Sequence, residues 1–195
     1  MGAGLFARVL ATTLLVLPFV MGPAPAGAAD FDLSKLKDGG YVVLLRHVKA
    51  GGSDSDDFDL ADCRTQRQVG AAGRKQAAEL KQRFLAAGIT ELRLLSSQYC
   101  RALQTAELLD LGRVTEEPAL NYYHWRLGDK DAIYEGLRRF IVALEAPSDG
   151  PPLVLVGHTH AFNIIGLEAV DSGGGLILRP NGSDRPEVVG AITAP

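Results

Sequence analysis

Two imidazoles and two guanidinium groups stand in this chain where strands would hand them to a pocket. Arg46 and His47 close the apolar run Tyr41–Leu45, and His158 follows Gly157 at the end of a second apolar run, Leu153–Val156. Between them the segment SSQYCRALQTAELL, residues 96–109, supplies Arg101. A neutral imidazole is a nucleophile toward phosphorus near neutral pH, because its ordinary pKa is about 6.5. Arginine offers a planar fork of donors that matches phosphate and stays charged at any working pH. The set therefore suits phosphoryl transfer. His47 would attack in line and hold the phosphoryl group until water removes it. Arg46 and Arg101 would bind its oxygens, and His158, with Thr159 at the amino end of the following helix, would add donors. This scheme needs no metal and no cofactor. His158 and His160 could pair with His47 or His124 around a metal, but two His at i, i+2 without carboxylates or cysteines nearby are a weak ligand set. Singly, each residue has a plainer reading, Arg101 as a surface arginine for example. The conjunction, in order and each at a strand end, carries the argument.

The elements that must position these residues follow from the pattern. Residues 41–45 and 153–156 read as strands covered on both faces, because their apolar runs are continuous. Residues 92–97 read as a third strand, and LILRP with EVVGAITA as a closing pair bent near Asn181-Gly182. Helices are expected over 66–86, 99–110 (capped by Ser96 or Ser97), 131–145 and 160–169. The Gly-, Ser- and Asp-rich stretch 50–62 reads as an exposed loop, and 113–131, with Tyr122, Tyr123 and Trp125, as either a cover over the site or core packing. Strands alternating with helices predict a three-layer α/β/α sandwich with a mostly parallel central sheet, whose ligands bind beyond the carboxyl ends of the strands.

Composition sets the class. The chain has 195 residues, 47% of them hydrophobic, enough for one domain with a core. Residues 1–28 resemble a signal peptide: Arg8, an apolar stretch Val9–Val20, then Ala26-Gly27-Ala28 as a small-x-small cleavage site. An uncleaved anchor is the alternative, but the stretch is short of the roughly 20 residues a span needs and contains Pro18. The expectation is a periplasmic or secreted domain over 29–195 with no stable membrane insertion. Without Arg8 the chain keeps 19 of its 20 Lys and Arg against 23 Asp and Glu, a net of −4, which gives no reason to expect a nucleic-acid partner. Oligomeric state is not legible. An exported chain with two cysteines, Cys63 and Cys100, predicts a disulfide over two buried thiols. That bridge would tie the first loop to the helix carrying Arg101.

The segments LLRHVKA, SSQYCRALQTAELL and LVLVGHTHAFN resemble the three signatures of the histidine phosphatase superfamily, the phosphoglycerate mutase-like and acid phosphatase-like proteins. The resemblance runs from about Gly40 to about Ile192, and Gly73 to Ala77 is similar to the family's Gly-x-x-Gln-Ala helix segment. It implies a phosphoglycerate mutase-like fold, His47 as the phosphorylated nucleophile, and Arg46, Arg101 and His158 as phosphate ligands. Three departures matter. The family's Arg-His-Gly-Glu is Arg46-His47-Val48-Lys49 here, which requires an ordinary backbone conformation at Val48 and puts a cation at position 49. The Glu that serves many members as general acid after Pro-x-Leu is missing after Pro118-Ala119-Leu120. A Ser-Gly-Glu stretch of some relatives reads Ser172-Gly173-Gly174.

The missing acid bears on the substrate. An alcohol leaves as a basic alkoxide unless it is protonated, whereas an imidazole or phosphate leaving group needs less help. Asp129, Asp131 and His160 are candidate proton donors, as are the loop carboxylates Asp54, Asp56, Asp57 and Asp59. The reading is an exported, metal-independent phosphoric monoester hydrolase acting on a small phosphorylated substrate. A weak or inactive phosphate-binding protein on the same fold is the alternative, and a structural envelope module with vestigial motifs a third. A mutase is disfavoured, because the chain has little room between its motifs for the insertions that hold a reorienting substrate.

Overall fold

The computed structural model describes residues 31–195 together with Met1; residues 2–30, and with them most of the expected signal peptide, lie outside the described residues. After a short 3-10 turn at Leu33–Asp38 the chain runs β1 Val42–Arg46, β2 Ala50–Gly51, β3 Gln68–Val69, α1 Ala71–Ala86, β4 Arg93–Ser96 and α2 Cys100–Leu109. It continues through β5 Val114–Glu116, α3 Lys130–Val142, β6 Leu153–Gly157, α4 Thr159–Ile164, β7 Gly175–Arg179 and β8 Glu187–Ile192. Six strands form the central sheet in the order β5-β4-β6-β1-β7-β8. The pairs β5–β4, β4–β6 and β6–β1 are parallel, and β7 and β8 close the sheet antiparallel.

Strand pleating explains the layers. Val43 and Leu45 point to one face and pack with Ala77, Leu80 and Phe84 of α1 and Ala102, Ala106 and Leu109 of α2. Val42 and Leu44 point to the other and pack with Leu137 and Ile141 of α3 and with Phe162. Both faces of β1 are fully buried, as its unbroken apolar run requires. The result is the expected three-layer sandwich.

Register positions the site. In the central β1–β6 pair Arg46 lies opposite Gly157, so His47 and His158 leave the sheet side by side. In β4–β6, Ser96 lies opposite Val156, so β4 ends at the same edge and feeds Ser97 and then α2 toward it.

Several boundaries differ from the sequence reading, for local reasons. The helix expected from 66 begins at Ala71, after Gly70, because Gln68 and Val69 pair with Ala50 and Gly51 and the Val69 N–H donates to the Gln104 side chain at 2.8 Å. The helix after His158 ends at Ile164 because Gly166, at φ +73°, breaks it. Neither Ser96 nor Ser97 caps α2; Tyr99 is its N-cap, and Gln66 Oε1 accepts the Cys100 N–H at 2.9 Å from the loop instead. The stretch 50–62 is not wholly exposed, since Phe58 is buried against the Tyr99 and His124 rings. The expected disulfide is present: Cys63 and Cys100 are bridged with their Cα atoms 5.7 Å apart. It joins the loop before β3 to the first turn of α2.

Candidate active site

A cavity of about 200 Å³ opens at the carboxyl edge of β1, β4 and β6, lined by Arg46, His47, Arg101, His158 and Thr159 and also by Asp54, Arg67 and Tyr122. It is smaller than the pockets that enclose drug-sized ligands, and matches a compact anion.

His47 is held by its own backbone. Its N–H donates to the Gly157 carbonyl at 3.0 Å, and ring Nδ1 lies 2.8 Å from the Val48 carbonyl oxygen. A carbonyl only accepts, so Nδ1 carries the hydrogen and Nε2 keeps its lone pair. Burial pushes the imidazole down to about 4, the Val48 hydrogen bond opposes this, and the Arg101, Arg46 and Arg67 charges add to the lowering. His47 is therefore neutral at pH 7. Val48 takes the ordinary backbone conformation its side chain requires, is fully buried, and donates its N–H to Thr105 Oγ1 at 3.1 Å. Lys49 does not line this cavity; it borders a neighbouring one of about 370 Å³ that shares Arg46.

His158 sits beside His47, ring centroids 5.2 Å apart and edge to face. Its Nε2 is 2.9 Å from Ser97 Oγ, which also reaches Asn121 Oδ1 at 3.0 Å. Burial first, then the charge of Arg101, puts the His158 imidazole well below its ordinary value. Tyr99 packs against it at 4.9 Å and donates its hydroxyl to the Tyr122 carbonyl at 2.7 Å, pinning the stretch that forms the cavity wall. α4 spans only Thr159–Ile164, too short for much of the macrodipole expected there, so its contribution is Thr159 itself.

Of the cavity arginines Arg101 is unusually buried, and Arg46 and Arg67 are half-buried. Arg101 is 2% exposed, with its guanidinium 4.5 Å over the Tyr99 ring. Burial lowers it to about 10, and Asp54, whose Oδ1 is 3.3 Å from Nη1, offsets part of that. Arg46 donates from Nη1 to the Val170 carbonyl at 2.8 Å. Arg46 Nε, Arg101 Nε and His158 Nδ1 are buried nitrogens with no partner among the described residues. Buried polar groups are rarely left unpaired, and all three residues line the cavity, so the two guanidinium Nε–H donors suit an oxyanion beside them. With both imidazoles neutral, three guanidinium groups against the Asp54 carboxylate leave the cavity two positive charges in surplus.

The proton-donor candidates part company here. Asp129 is exposed and caps α3, accepting the Ala132 N–H at 2.8 Å; Asp131 is exposed in the first turn of α3. Neither lines the cavity. His160 is buried behind it, with Nε2 3.0 Å from the Asn121 carbonyl oxygen and its ring stacked on Tyr134. Its lowered pKa, about 4 from burial, leaves it neutral and bonded to the wall. Of the loop carboxylates only Asp54 reaches the cavity, where its Oδ1 accepts the Arg67 N–H at 2.9 Å. Sequence reasoning misses Arg67. The signal that points to it is the cysteine pair, since a Cys63–Cys100 bridge draws the segment after Cys63 to the segment beside Arg101. Trp125 is 62% exposed and lies under the Arg126 guanidinium rather than in the core. Among the described residues, no three His, Cys, Asp or Glu side chains converge as a metal-ligand set.

Solved structures share this architecture. A protein histidine phosphatase SixA complexed with tungstate is 14% identical over 78% of this chain and 96% of its own, with a TM-score of 0.54. The chain has the SixA fold. A SixA from Agrobacterium tumefaciens is 18% identical over 80% of this chain and 98% of its own (TM-score 0.55). TTHB049 from Thermus thermophilus is 19% identical over 78% and 99% (TM-score 0.55). No protein-family model matches the chain, and no curated protein matches it significantly. The SixA fold bears out the phosphoglycerate mutase-like architecture that the three sequence signatures implied.

Proposed function

We propose that the chain is an exported phosphatase that transfers a phosphoryl group to His47 Nε2 and then to water, with no metal in the reaction. The observation that carries this reading is the 2.8 Å contact between His47 Nδ1 and the Val48 carbonyl. It fixes the tautomer, leaves Nε2 as the free nucleophile, and stabilises the ring when phosphorylation makes it cationic. Arg46, Arg101, His158 and Thr159 bind the phosphoryl oxygens. Ser97 donates its one hydrogen to Asn121 Oδ1, so His158 Nε2 donates to Ser97, and an anion in the cavity favours the His158 imidazolium, whose second hydrogen on Nδ1 can reach it. The tungstate bound by a protein of the same fold is a tetrahedral oxyanion, which agrees with this assignment.

The wall offers no uncommitted carboxylic acid, because Asp54 is paired with arginines. Substrates whose leaving groups need no proton are therefore favoured: aryl phosphates, anhydrides, and phosphoramidates such as phosphohistidine, whose ring nitrogen protonates by itself near neutral pH. The phosphohistidine class agrees with the name of the tungstate-bound relative. Export rests on the leader-like residues 1–28 and on the disulfide, a bond that persists in oxidising compartments. Among the described residues no helix is long and apolar enough to cross a membrane.

The test is hydrolysis of p-nitrophenyl phosphate by the chain from Ala29, with EDTA present, beside His47→Ala. EDTA-resistant turnover that vanishes in His47→Ala is expected. The same paired state of Asp54 favours the second reading, a phosphate-binding protein with little turnover. Phosphate binding by calorimetry without hydrolysis would establish that reading instead.

A further inference from the structure

We propose that Asp54 is a catalytic residue, the general base that takes a proton from the water attacking phosphorylated His47. This rests on the phosphohistidine reading above and adds the group that completes its second half.

Among the residues lining the cavity Asp54 is the one carboxylate. Its side chain is 21% exposed, so it borders both the cavity and solvent, where the attacking water must come from. Its position is fixed from two sides. Oδ1 accepts the Arg67 N–H at 2.9 Å, with Arg67 Nε 3.8 Å from Oδ2, and Arg101 Nη1 lies 3.3 Å and 3.4 Å from the two oxygens. The Cys63–Cys100 bridge holds its loop against the helix that carries Arg101.

A carboxylate between two guanidinium groups is an acceptor of protons. To act as an acid toward the first leaving group it would have to be neutral and give up both pairs. To act as a base toward water it needs no change of state. Its contacts to Arg101 are also longer than the roughly 2.7–2.9 Å of a strong charge-assisted bond, so phosphoryl oxygens can claim Arg101 without stranding Asp54.

The steps balance. The His47 Nε2 lone pair forms the P–N bond while the bond from phosphorus to the leaving group breaks and that group departs with its electron pair. The ring, with hydrogen on Nδ1 and phosphorus on Nε2, becomes cationic. Water oxygen then attacks phosphorus, the P–N bond returns its electron pair to Nε2, and the water proton goes to Asp54. Inorganic phosphate and neutral His47 remain, and Asp54 loses its proton to solvent.

The experiment is rapid mixing of p-nitrophenyl phosphate with the wild type, Asp54→Asn, Asp54→Glu and His47→Ala. Asp54→Asn should release about one nitrophenolate per protein at the wild-type rate and then turn over about 10²-fold more slowly, the usual range for loss of a general base. An alkali-stable, acid-labile phosphoprotein should accumulate in it. Asp54→Glu should recover part of the steady-state rate. Equal slowing of burst and steady state would make Asp54 a group of the first step or a positioner of Arg101, and would overturn the proposal; so would an unchanged steady state. If Asp54→Asn does not fold, Asp54→Glu decides alone: a slowed steady state behind an intact burst supports the base, and equal slowing refutes it. Turnover that survives in His47→Ala would instead remove the phosphohistidine reading, and the proposal with it.

Discussion

The rings of His47 and His158 meet edge to face, 5.2 Å between centroids, because Arg46 and Gly157 are register partners in adjacent parallel strands. Both imidazoles are lowered, mainly by burial, so they share one cavity without opposing charges. The consequence for rate is direct. Attack requires a bare Nε2, and His47 takes up a proton there only as pH falls toward about 4. With an aryl phosphate, kcat/KM should hold from pH 7 to about 5 and fall below that, rather than halving near 6.5. A pH–rate profile with a limb at 6.5 would mean that the His47 environment in solution is wetter than this one.

The disulfide closes a loop with a sequence separation of 37 residues. In the chain-entropy model such a bridge contributes about 3–4 kcal/mol. Replacing both cysteines by serine should lower the melting temperature markedly. It should also weaken phosphate binding, because Asp54 and Arg67 lie in the tethered segment while Arg101 directly follows the other cysteine. Calorimetric phosphate titration of the double variant beside the wild type, both checked for folding by circular dichroism, reads the second effect. Unchanged affinity would show that the loop holds its place without the bridge.

Gly73 explains part of the site's rigidity. A Cβ there would sit 2.1 Å from the Lys49 carbonyl oxygen and 2.8 Å from Val69 Cγ1. The neighbour is backbone, two residues beyond His47, and cannot rotate away. Gly73→Ala should destabilise by about 2 kcal/mol or more, in the range of overpacked cores. It should also reduce kcat more than it changes KM, since the chain that must move leads to the nucleophile. Chemical denaturation and steady-state kinetics on the one variant check both.

How far the sequence could be read divides along chain distance. β1 and β6 were legible because continuous apolar runs declare buried strands, and Arg46, His47 and His158 because each stands at the end of one; β4 is interrupted by Arg93, and Arg101 lies beyond it in α2. The role of Gln76 was not legible. Its Oε1 accepts the Lys49 N–H at 2.9 Å and its Nε2 donates to the Ser172 carbonyl at 2.9 Å, joining α1 to the exits of two distant segments. The Ser172-Gly173-Gly174 departure likewise gains its meaning only in three dimensions. The Gly173 N–H reaches the carbonyls of Arg46 and His47 at 3.1 and 3.2 Å, at φ +85°, and so clamps the end of β1. Choosing Asp54 among the four candidate aspartates of the loop, and finding Arg67 at all, required knowing where a loop without periodicity folds back.

Stability should depend on pH through the same buried imidazoles. His47 and His160 are lowered to about 4 and His158 is also well below 6.5, in each case chiefly by burial. Between pH 6.5 and 4 the unfolded chain therefore binds protons that the folded chain refuses. Unfolding then becomes easier as pH falls, because stability rises with pH wherever the unfolded state holds more protons. The loss should begin near pH 6.5, deepen toward 4 and level off for His47 and His160 below that. Each site should contribute roughly 1.4 kcal/mol for every tenfold loss of proton affinity on folding. Inorganic phosphate should shift the whole curve upward, since it binds the folded chain alone. Melting temperatures from pH 7 to 4 for the wild type and His160→Gln separate the contributions. His160→Gln should flatten the pH dependence while keeping a hydrogen bond to the Asn121 carbonyl. An equally steep curve in that variant would assign the acid sensitivity to the pair in the cavity, His47 and His158.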